Sequence, residues 1–429
     1  MKPSNCVFVR DTAGRELTPC RPAQARRMLR DGKAAVFRCY PFSIILKEAK
    51  PEAVTKPLTV KIDPGAKVTG LALVEPEGRV LFAAELEHRG HAIKEALTER
   101  RQYRRNRRGR KTRYREARFD NRAKPEGWLP PSLQHRVATT LTWVRRFGRL
   151  ADVASLSVER VKFDMQRMQN AEISGVEYQQ GELQGYTVRE YLLEKFHRQC
   201  VYCGKTDVAL EIEHVVAKAN GGSNRVSNLT LSCRSCNQKK GSLPVEVFLK
   251  GRPEVLARLK RQLKAPLSAA AALNATRNAL FRYLLDTGLS VETGSGAQTK
   301  FNRSRQNYPK AHWIDAACVG ESGAAVTLDP NLKPLVIQAK GHGRRQRCRP
   351  DKFGFPRSPA PRQKSFAGFQ TGDIVAASIP SGKFAGAHVG RVAIRHRPSF
   401  RLAADNGAVF DVHPKYLRII QQADGYAYR

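Results

Sequence analysis

Residues 200–241 read CVYCGKTDVALEIEHVVAKANGGSNRVSNLTLSCRSCNQKKG, two Cys-x-x-Cys pairs enclosing a Glu-His dipeptide and an Asn-rich loop. Two such knuckles supply four soft thiolates in two close pairs, the arrangement that closes a tetrahedral zinc site. Cys200, Cys203, Cys233 and Cys236 are therefore expected to hold a structural zinc, with disulfides as the alternative use of the same four residues. A four-thiolate site leaves no open position for substrate, so the ion staples a small insert that buries little core of its own. Between the knuckles, LEIEHVV alternates as a strand, AKANGGSNRVSN is rich in turn residues, LTLSC returns as a strand and CRSCNQKKGS opens a helix. The expectation is a β-hairpin followed by a helix. A divalent cation clamped between them would draw on the Glu213 carboxylate and the Asn237 side-chain oxygen, hard ligands suited to magnesium. His214 would then be free to deprotonate a water. Phosphodiester cleavage needs both an activated nucleophile and a cation on the phosphate. The bland reading is a zinc ribbon whose His214 is simply packed.

The order Glu-His, Asn228, Asn237 between zinc knuckles resembles the HNH endonuclease, or ββα-metal, motif. The resemblance implies that His214 is the general base, that Asn228 braces the loop and that Asn237 binds the metal together with Glu213.

Further segments carry acids at the ends of apolar runs. LTVKIDPGAKVTGLALVEPEGRVLFAAELE, residues 58–87, reads as strand, tight Gly turn, strand, turn, strand, with Asp63 closing the first strand at a cleft. ASLSVERVKF is another apolar strand ending in a carboxylate, Glu159. YPKAHWIDAACVG places His312 and Asp315 three apart on a predicted helix, on one face. Taken singly, Asp63 in Asp-Pro-Gly reads as part of a common turn, and Glu159 and Asp315 read equally well as surface residues. Together and in order, the three segments resemble RuvC I, II and III of the RNase H-like nucleases. That resemblance implies two magnesium ions about 4 Å apart on Asp63, Glu159 and Asp315, with His312 as general base.

Between the first two of these segments runs ERRQYRRNRRGRKTRYREARFDNR, in which twelve of residues 100–122 are Lys or Arg. An isolated helix of that composition repels itself on every face, so a polyanion accompanies it. Arginine forks onto phosphates, and Tyr103, Tyr114 and Phe119 offer stacking surfaces. The candidate contacts are Arg100, Arg101, Arg104, Arg105, Arg107, Arg108, Arg110, Arg113, Arg115 and Arg118, with Gly109 a point of bending. The run resembles the arginine-rich bridge helix of guide-RNA nucleases. Residues 7–46 read as strand, helix, strand with Arg26, Arg27 and Arg30 on the helix. They resemble the small PLMP domain of the IscB family, although Glu16-Leu17-Thr18-Pro19 stands where those letters would be. After about residue 330 the basic KGHGRRQRCRPDKFGFPR leads into short alternating strands, expected to form a small β-barrel.

The chain of 429 residues has 76 Lys and Arg against 38 Asp and Glu, a formal charge of +38, which points to nucleic acid as partner. No apolar run approaches the roughly 20 residues of a membrane span, and the start lacks a signal-peptide core. The expectation is a soluble, intracellular protein without a membrane partner, with Cys6, Cys20, Cys39, Cys318 and Cys348 as reduced, structural thiols.

The full order of segments resembles IscB, compact transposon-associated relatives of the type II CRISPR effectors. The resemblance implies an α/β multidomain fold. Its RNase H-like (RuvC) core is split by an arginine-rich bridge helix and a zinc-stapled ββα-metal HNH insert, between a small N-terminal α/β domain and a β-rich C-terminal domain. The expected bounds are 1–55 for the PLMP-like domain, 56–90 for RuvC I, 91–124 for the bridge helix and 125–184 for RuvC II and linker. The HNH domain follows at 185–245, linker and RuvC III at 246–328, and the C-terminal domain, reading a motif beside the target, at 329–429. The implied function is omega-RNA-guided cleavage of double-stranded DNA, HNH cutting the guide-paired strand and RuvC the displaced one. The cofactors implied are two Mg2+ at RuvC, one at HNH, and the structural zinc. The partners are guide omega RNA and target DNA, held by one protein monomer in a ribonucleoprotein of the prokaryotic cytoplasm, nucleoid-associated when on DNA. A homing or junction-resolving nuclease acting without RNA, and a nucleic-acid-binding protein with vestigial sites, are the competing readings.

Overall fold

The computed structural model describes residues 5–110, 128–160, 184–206, 208–263, 268–341, 348, 350–353, 355–359, 363–395 and 399–429. Arg113, Arg115 and Arg118, and most of the linker expected ahead of the HNH segment, lie outside them. The chain divides into two units, Met1–Glu159 with Ala279–Arg429, and Arg160–Asn278.

In the first unit, the N-terminal segment forms a four-stranded sheet in which Val7–Arg10 lies between Glu16–Cys20 and Ser43–Leu46, with Ala34–Arg38 at the far edge. Val7, Val9, Leu17 and Ile44 pack under the helix Pro22–Arg30, whose proline sits in the first turn, where no backbone N–H is needed. The expected strand, helix, strand is thus enlarged by the hairpin strand Glu16–Cys20, which contains the four residues that depart from the PLMP letters.

A seven-stranded sheet positions the acids. Leu58–Asp63, Val68–Val74 and Val80–Glu87 form an antiparallel meander. Val153–Glu159 pairs parallel with Leu58–Asp63, and Ser290–Gly294 pairs parallel with Val153–Glu159 beyond it. On the opposite side Leu335–Ala339 runs parallel to Val80–Glu87, and the last strand, Tyr426–Tyr428, closes the sheet antiparallel. The central strands are apolar on both faces because both are covered. One face packs Val60, Ile62 and Phe82 against Leu141, Trp143 and Phe147 of the helix Pro131–Phe147. The other packs Ala72, Val74 and Ala83 against Trp313, Ile314 and Ala317 of the helix His312–Ala317.

The C-terminal strands Ile374–Ile379, Gly386–Ala393, Phe400–Ala404, Val409–Val412 and Leu417–Gln421 form an antiparallel sheet around Val375, Phe400, Leu402 and Phe410. Its two edges, Val409–Val412 and Leu417–Gln421, do not pair with each other among the described residues, so it is an open sheet where a barrel was expected.

In the second unit, Leu210–His214 and Leu229–Cys233 form a hairpin in the register His214 opposite Leu229 and Glu211 opposite Ser232. The helix Arg234–Lys240 follows directly. Among the described residues no helix is long and apolar enough to cross a membrane.

Candidate functional site

The sulfur atoms of Cys200, Cys203, Cys233 and Cys236 all lie within 4.8 Å of one another, the one convergent group of metal-binding side chains among the described residues. Cys203 Sγ and Cys233 Sγ are 3.8 Å apart. Four sulfurs at the usual zinc–sulfur distance of about 2.3 Å sit about 3.8 Å from each other in a tetrahedron, whereas a disulfide needs about 2.05 Å. The group fits zinc, and all nine cysteines are free thiols.

The hairpin and helix held by this group carry the HNH candidates. His214, at the end of its strand, has Nε2 2.9 Å from Asn224 Oδ1. Asn228 accepts from Val216 N at 2.8 Å and donates to Val216 O at 3.0 Å and Ser223 O at 2.9 Å, spanning the loop between the strands. Asn237 and Glu213, expected to share a metal, each have another partner. Glu213 is 4% exposed, with Lys240 Nζ 2.7 Å from Oε1 and the Tyr202 hydroxyl 2.5 Å from Oε2. Burial and the adjacent Glu213 push the Tyr202 phenol well above its ordinary range, so it stays a donor. Lys240 also donates to His214 O at 2.9 Å. The partner of Asn237 is Glu211, whose Oε2 accepts from Nδ2 at 2.8 Å. In oxygen chemistry the residues fit a hard cation, but the carboxylate beside Asn237 is Glu211, with Glu213 already occupied. Glu211, Lys240, Tyr202 and Asn224 were all missed in the sequence. Glu211 shares the face of Glu213 by the two-residue strand period and Lys240 follows Asn237 by one helical turn, so two of the four had a signal.

In the first unit, Ile62 pairs with Val158, so Asp63 and Glu159 leave the carboxyl ends of neighbouring parallel strands. The helix His312–Ala317 crosses close above because Gly70, opposite Asp63, has no side chain. A Cβ there would stand 1.9 Å from His312 O. His312 Nδ1 is 3.7 Å from Asp63 Oδ2, and the Asp63 carboxylate raises the histidine pKa against the effect of burial. Asp315 is buried, and burial together with the negative charge of Asp63 raises its pKa. Its oxygens are taken by Arg303 Nε at 2.7 Å and Lys310 Nζ at 3.8 Å. Asp63, Glu159 and Asp315 are hard donors suited to magnesium, but they do not form a converged donor group in this arrangement. Lys61, another residue missed in the sequence, is buried on the strand that ends in Asp63. Its Nζ donates to Val319 O at 2.8 Å and contacts Ser322 Oγ at 2.6 Å, pinning the turn after the His312 helix. Burial brings its pKa down to about 8.

Arg100, Arg101, Arg104, Arg105, Arg107 and Arg108 are exposed along the helix Gly90–Gly109, and none has a carboxylate within ion-pair distance among the described residues. Arg110 caps that helix.

Residues 200–243 match the HNH endonuclease family model. The chain carries an HNH endonuclease domain. Residues 7–181 match the RRXRR protein model, and residues 104–108, Arg-Arg-Asn-Arg-Arg, spell that pattern. An RRXRR module followed by HNH fits a nuclease of the IscB and Cas9 kind. Solved structures that resemble the chain include Streptococcus thermophilus Cas9 in complex with the GGAA PAM, at 11% identity and a TM-score of 0.23. The same protein with the AGAA PAM gives 12% and 0.21, and with the AGGA PAM 11% and 0.22. Each likeness covers 61% of this chain, which spans 32% of the Cas9 chain. No curated protein matches the chain.

Proposed function

We propose that the chain is an omega-RNA-guided endonuclease that cuts both strands of DNA with two separate centres, and that it belongs with IscB. The observation that carries the reading is the hairpin of the HNH domain and its adjoining helix: His214 at the strand's end, Asn237 of the helix donating to Glu211 of that strand, and four converged cysteines that fit zinc. In this reading His214 takes the proton of the attacking water, and Asn224 fixes its ring so that one nitrogen faces the phosphate. Asn228 holds the loop that carries Asn224. Asn237 and the neighbouring Glu211 carboxylate would hold a divalent cation, which would neutralise charge at the phosphate.

The RuvC reading of the other centre is supported by strand order and direction. Three antiparallel strands followed by two parallel ones, with Asp63 and Glu159 at adjacent carboxyl ends and Asp315 on a covering helix, make the arrangement expected of an RNase H-like core. Asp63, Glu159 and Asp315 would hold magnesium there, the Asp315 oxygens now facing Arg303 and Lys310, and His312 beside Asp63 would move a proton. The exposed arginines from Arg100 to Arg110 take guide phosphates.

Strand-labelled cleavage with the copurified RNA and magnesium tests the assignment. His214→Ala is expected to leave cutting of the displaced strand only, and Asp63→Ala cutting of the guide-paired strand only. Loss of both cuts in either single variant that still binds target refutes two independent centres. Undiminished cutting after RNase treatment refutes RNA guidance in favour of a nuclease acting without RNA.

A further inference from the structure

The end of the arginine-rich helix meets two phenylalanines that no packing in the core requires. Arg110 places its guanidinium carbon 4.1 Å from the ring centre of Phe355 and 4.5 Å from that of Phe353, and its Nη2 donates to Phe353 O at 3.0 Å. The backbone that carries the rings is braced. Asp351 Oδ1 accepts from Phe353 N at 2.9 Å and from Phe355 N at 2.8 Å, Asp351 N donates to Phe355 O at 2.7 Å, and Pro350 bridges to Pro356. Yet Phe353 remains 43% and Phe355 37% exposed, and Lys352 Nζ stands 5.0 Å from the Phe353 ring centre. Large apolar rings on a braced backbone, left open to water and flanked by Arg110 and Lys352, are poor material for a simple fold contact. They are good material for a flat, electron-rich ligand attached to phosphates.

We propose that Phe353 and Phe355, with Arg110, form a stacking platform for an unpaired nucleotide base of a strand whose phosphates follow the helix Gly90–Gly109. A paired base presents only its edges, so the ligand is a single-stranded stretch; its two sources are RNA and an unwound DNA strand. The arginine and the rings complement the two halves of such a ligand: the guanidinium serves the phosphate or the base face, the rings the base face alone. The proposal rests on the nucleic-acid reading given above, and adds to it a site that contributes no ionic contacts of its own through the two rings.

That difference gives the test. The full-length protein, stripped of copurified nucleic acid, is titrated with oligonucleotides containing the fluorescent base 2-aminopurine, as single-stranded RNA, single-stranded DNA and duplex DNA, at several salt concentrations. Wild-type protein is expected to quench the fluorescence of at least one single strand. Phe353→Ala/Phe355→Ala is expected to abolish the quenching and weaken that strand about tenfold, with an unchanged salt slope and duplex affinity within about twofold. The strand that responds identifies the source. Should the double variant fail to fold, Phe355→Leu keeps the apolar contact without the aromatic face and is expected to reduce quenching while melting as wild type does. Quenching and affinity that survive these substitutions, or an equal loss on duplex DNA, overturn the platform and leave only a clamp on Arg110. Absence of salt-dependent binding to any of the three by the wild type refutes instead the nucleic-acid reading beneath it.

Discussion

Glu213 has Lys240 on one carboxylate oxygen and Tyr202 on the other, all three deeply buried, while Glu211, one strand repeat away, faces Asn237. The two acids therefore do different work. Glu213→Gln leaves a buried ammonium without its counter-charge, which costs roughly 3–5 kcal/mol when one partner of such a pair is removed. It is expected to lower the melting temperature markedly while Mn2+ still binds. Glu211→Gln removes a carboxylate from the rim and is expected to melt near the wild type but bind Mn2+ at least tenfold more weakly, read by paramagnetic resonance titration with the RuvC acids removed. A Glu213→Gln protein that keeps its melting temperature and loses Mn2+ reverses the assignment. The Glu-His, Asn228 and Asn237 letters were readable because motif spacing survives without coordinates. Which acid meets Asn237 was not, since that depends on how the helix is phased against the strand: Asn237 and Lys240, three apart on one, must meet Glu211 and Glu213, two apart on the other.

At the scale of elements, the Gly70 position decides whether the His312 helix can lie on the sheet. Gly70→Ala puts a methyl 1.9 Å from a backbone carbonyl, a clash that only movement of the helix relieves. The expected result is a lower melting temperature and loss of cutting by the Asp63 centre, with the HNH cut retained; intact cutting of both strands rules out the close approach. This contact was invisible in the sequence, where Gly70 is one more glycine in a strand, whereas the meander 58–87 was legible from its alternation and turns. The outer strands Leu335–Ala339 and Tyr426–Tyr428 escaped notice because they are short and their pairing joins segments far apart in the chain. A second consequence sits under the arginine-rich helix. Burial pushes His88 down to about 3 and His135 to about 4, against about 6.5 in an unfolded chain. As pH falls from 6.5 toward 4 the unfolded state takes up protons that the folded state refuses, so stability is full above that window and falls through it by up to roughly 1.4 kcal/mol per pH unit for each histidine. His88→Gln with His135→Gln is expected to flatten the melting temperature between pH 6.5 and 4.5 relative to wild type. An identical acid profile removes these residues as the cause.

Over the whole molecule, a formal charge of +38 makes binding to any polyanion expected, so affinity alone says little about where the nucleic acid lies. The salt dependence says more, because each phosphate neutralised releases counterions and adds about 0.7 to 0.9 to the slope of log affinity against log salt. Arg100, Arg101, Arg104 and Arg105 are exposed on one helix with no acidic partner among the described residues, a charge density that an isolated helix would not sustain. Replacing these four by alanine is expected to reduce the slope for RNA by up to about 3. A charge-matched control, with Lys33, Lys47, Lys50 and Lys56 of the N-terminal region replaced, lowers the net charge by the same amount on exposed side chains elsewhere. If the field of the whole protein did the binding, both sets would flatten the slope equally. If the helix is the seat of the phosphates, only the arginine set changes it strongly, and the control moves affinity slightly through long-range attraction that salt screens beyond about 10 Å. Equal slopes in the two variants therefore dismiss the helix as the RNA-binding element, whatever the affinities turn out to be.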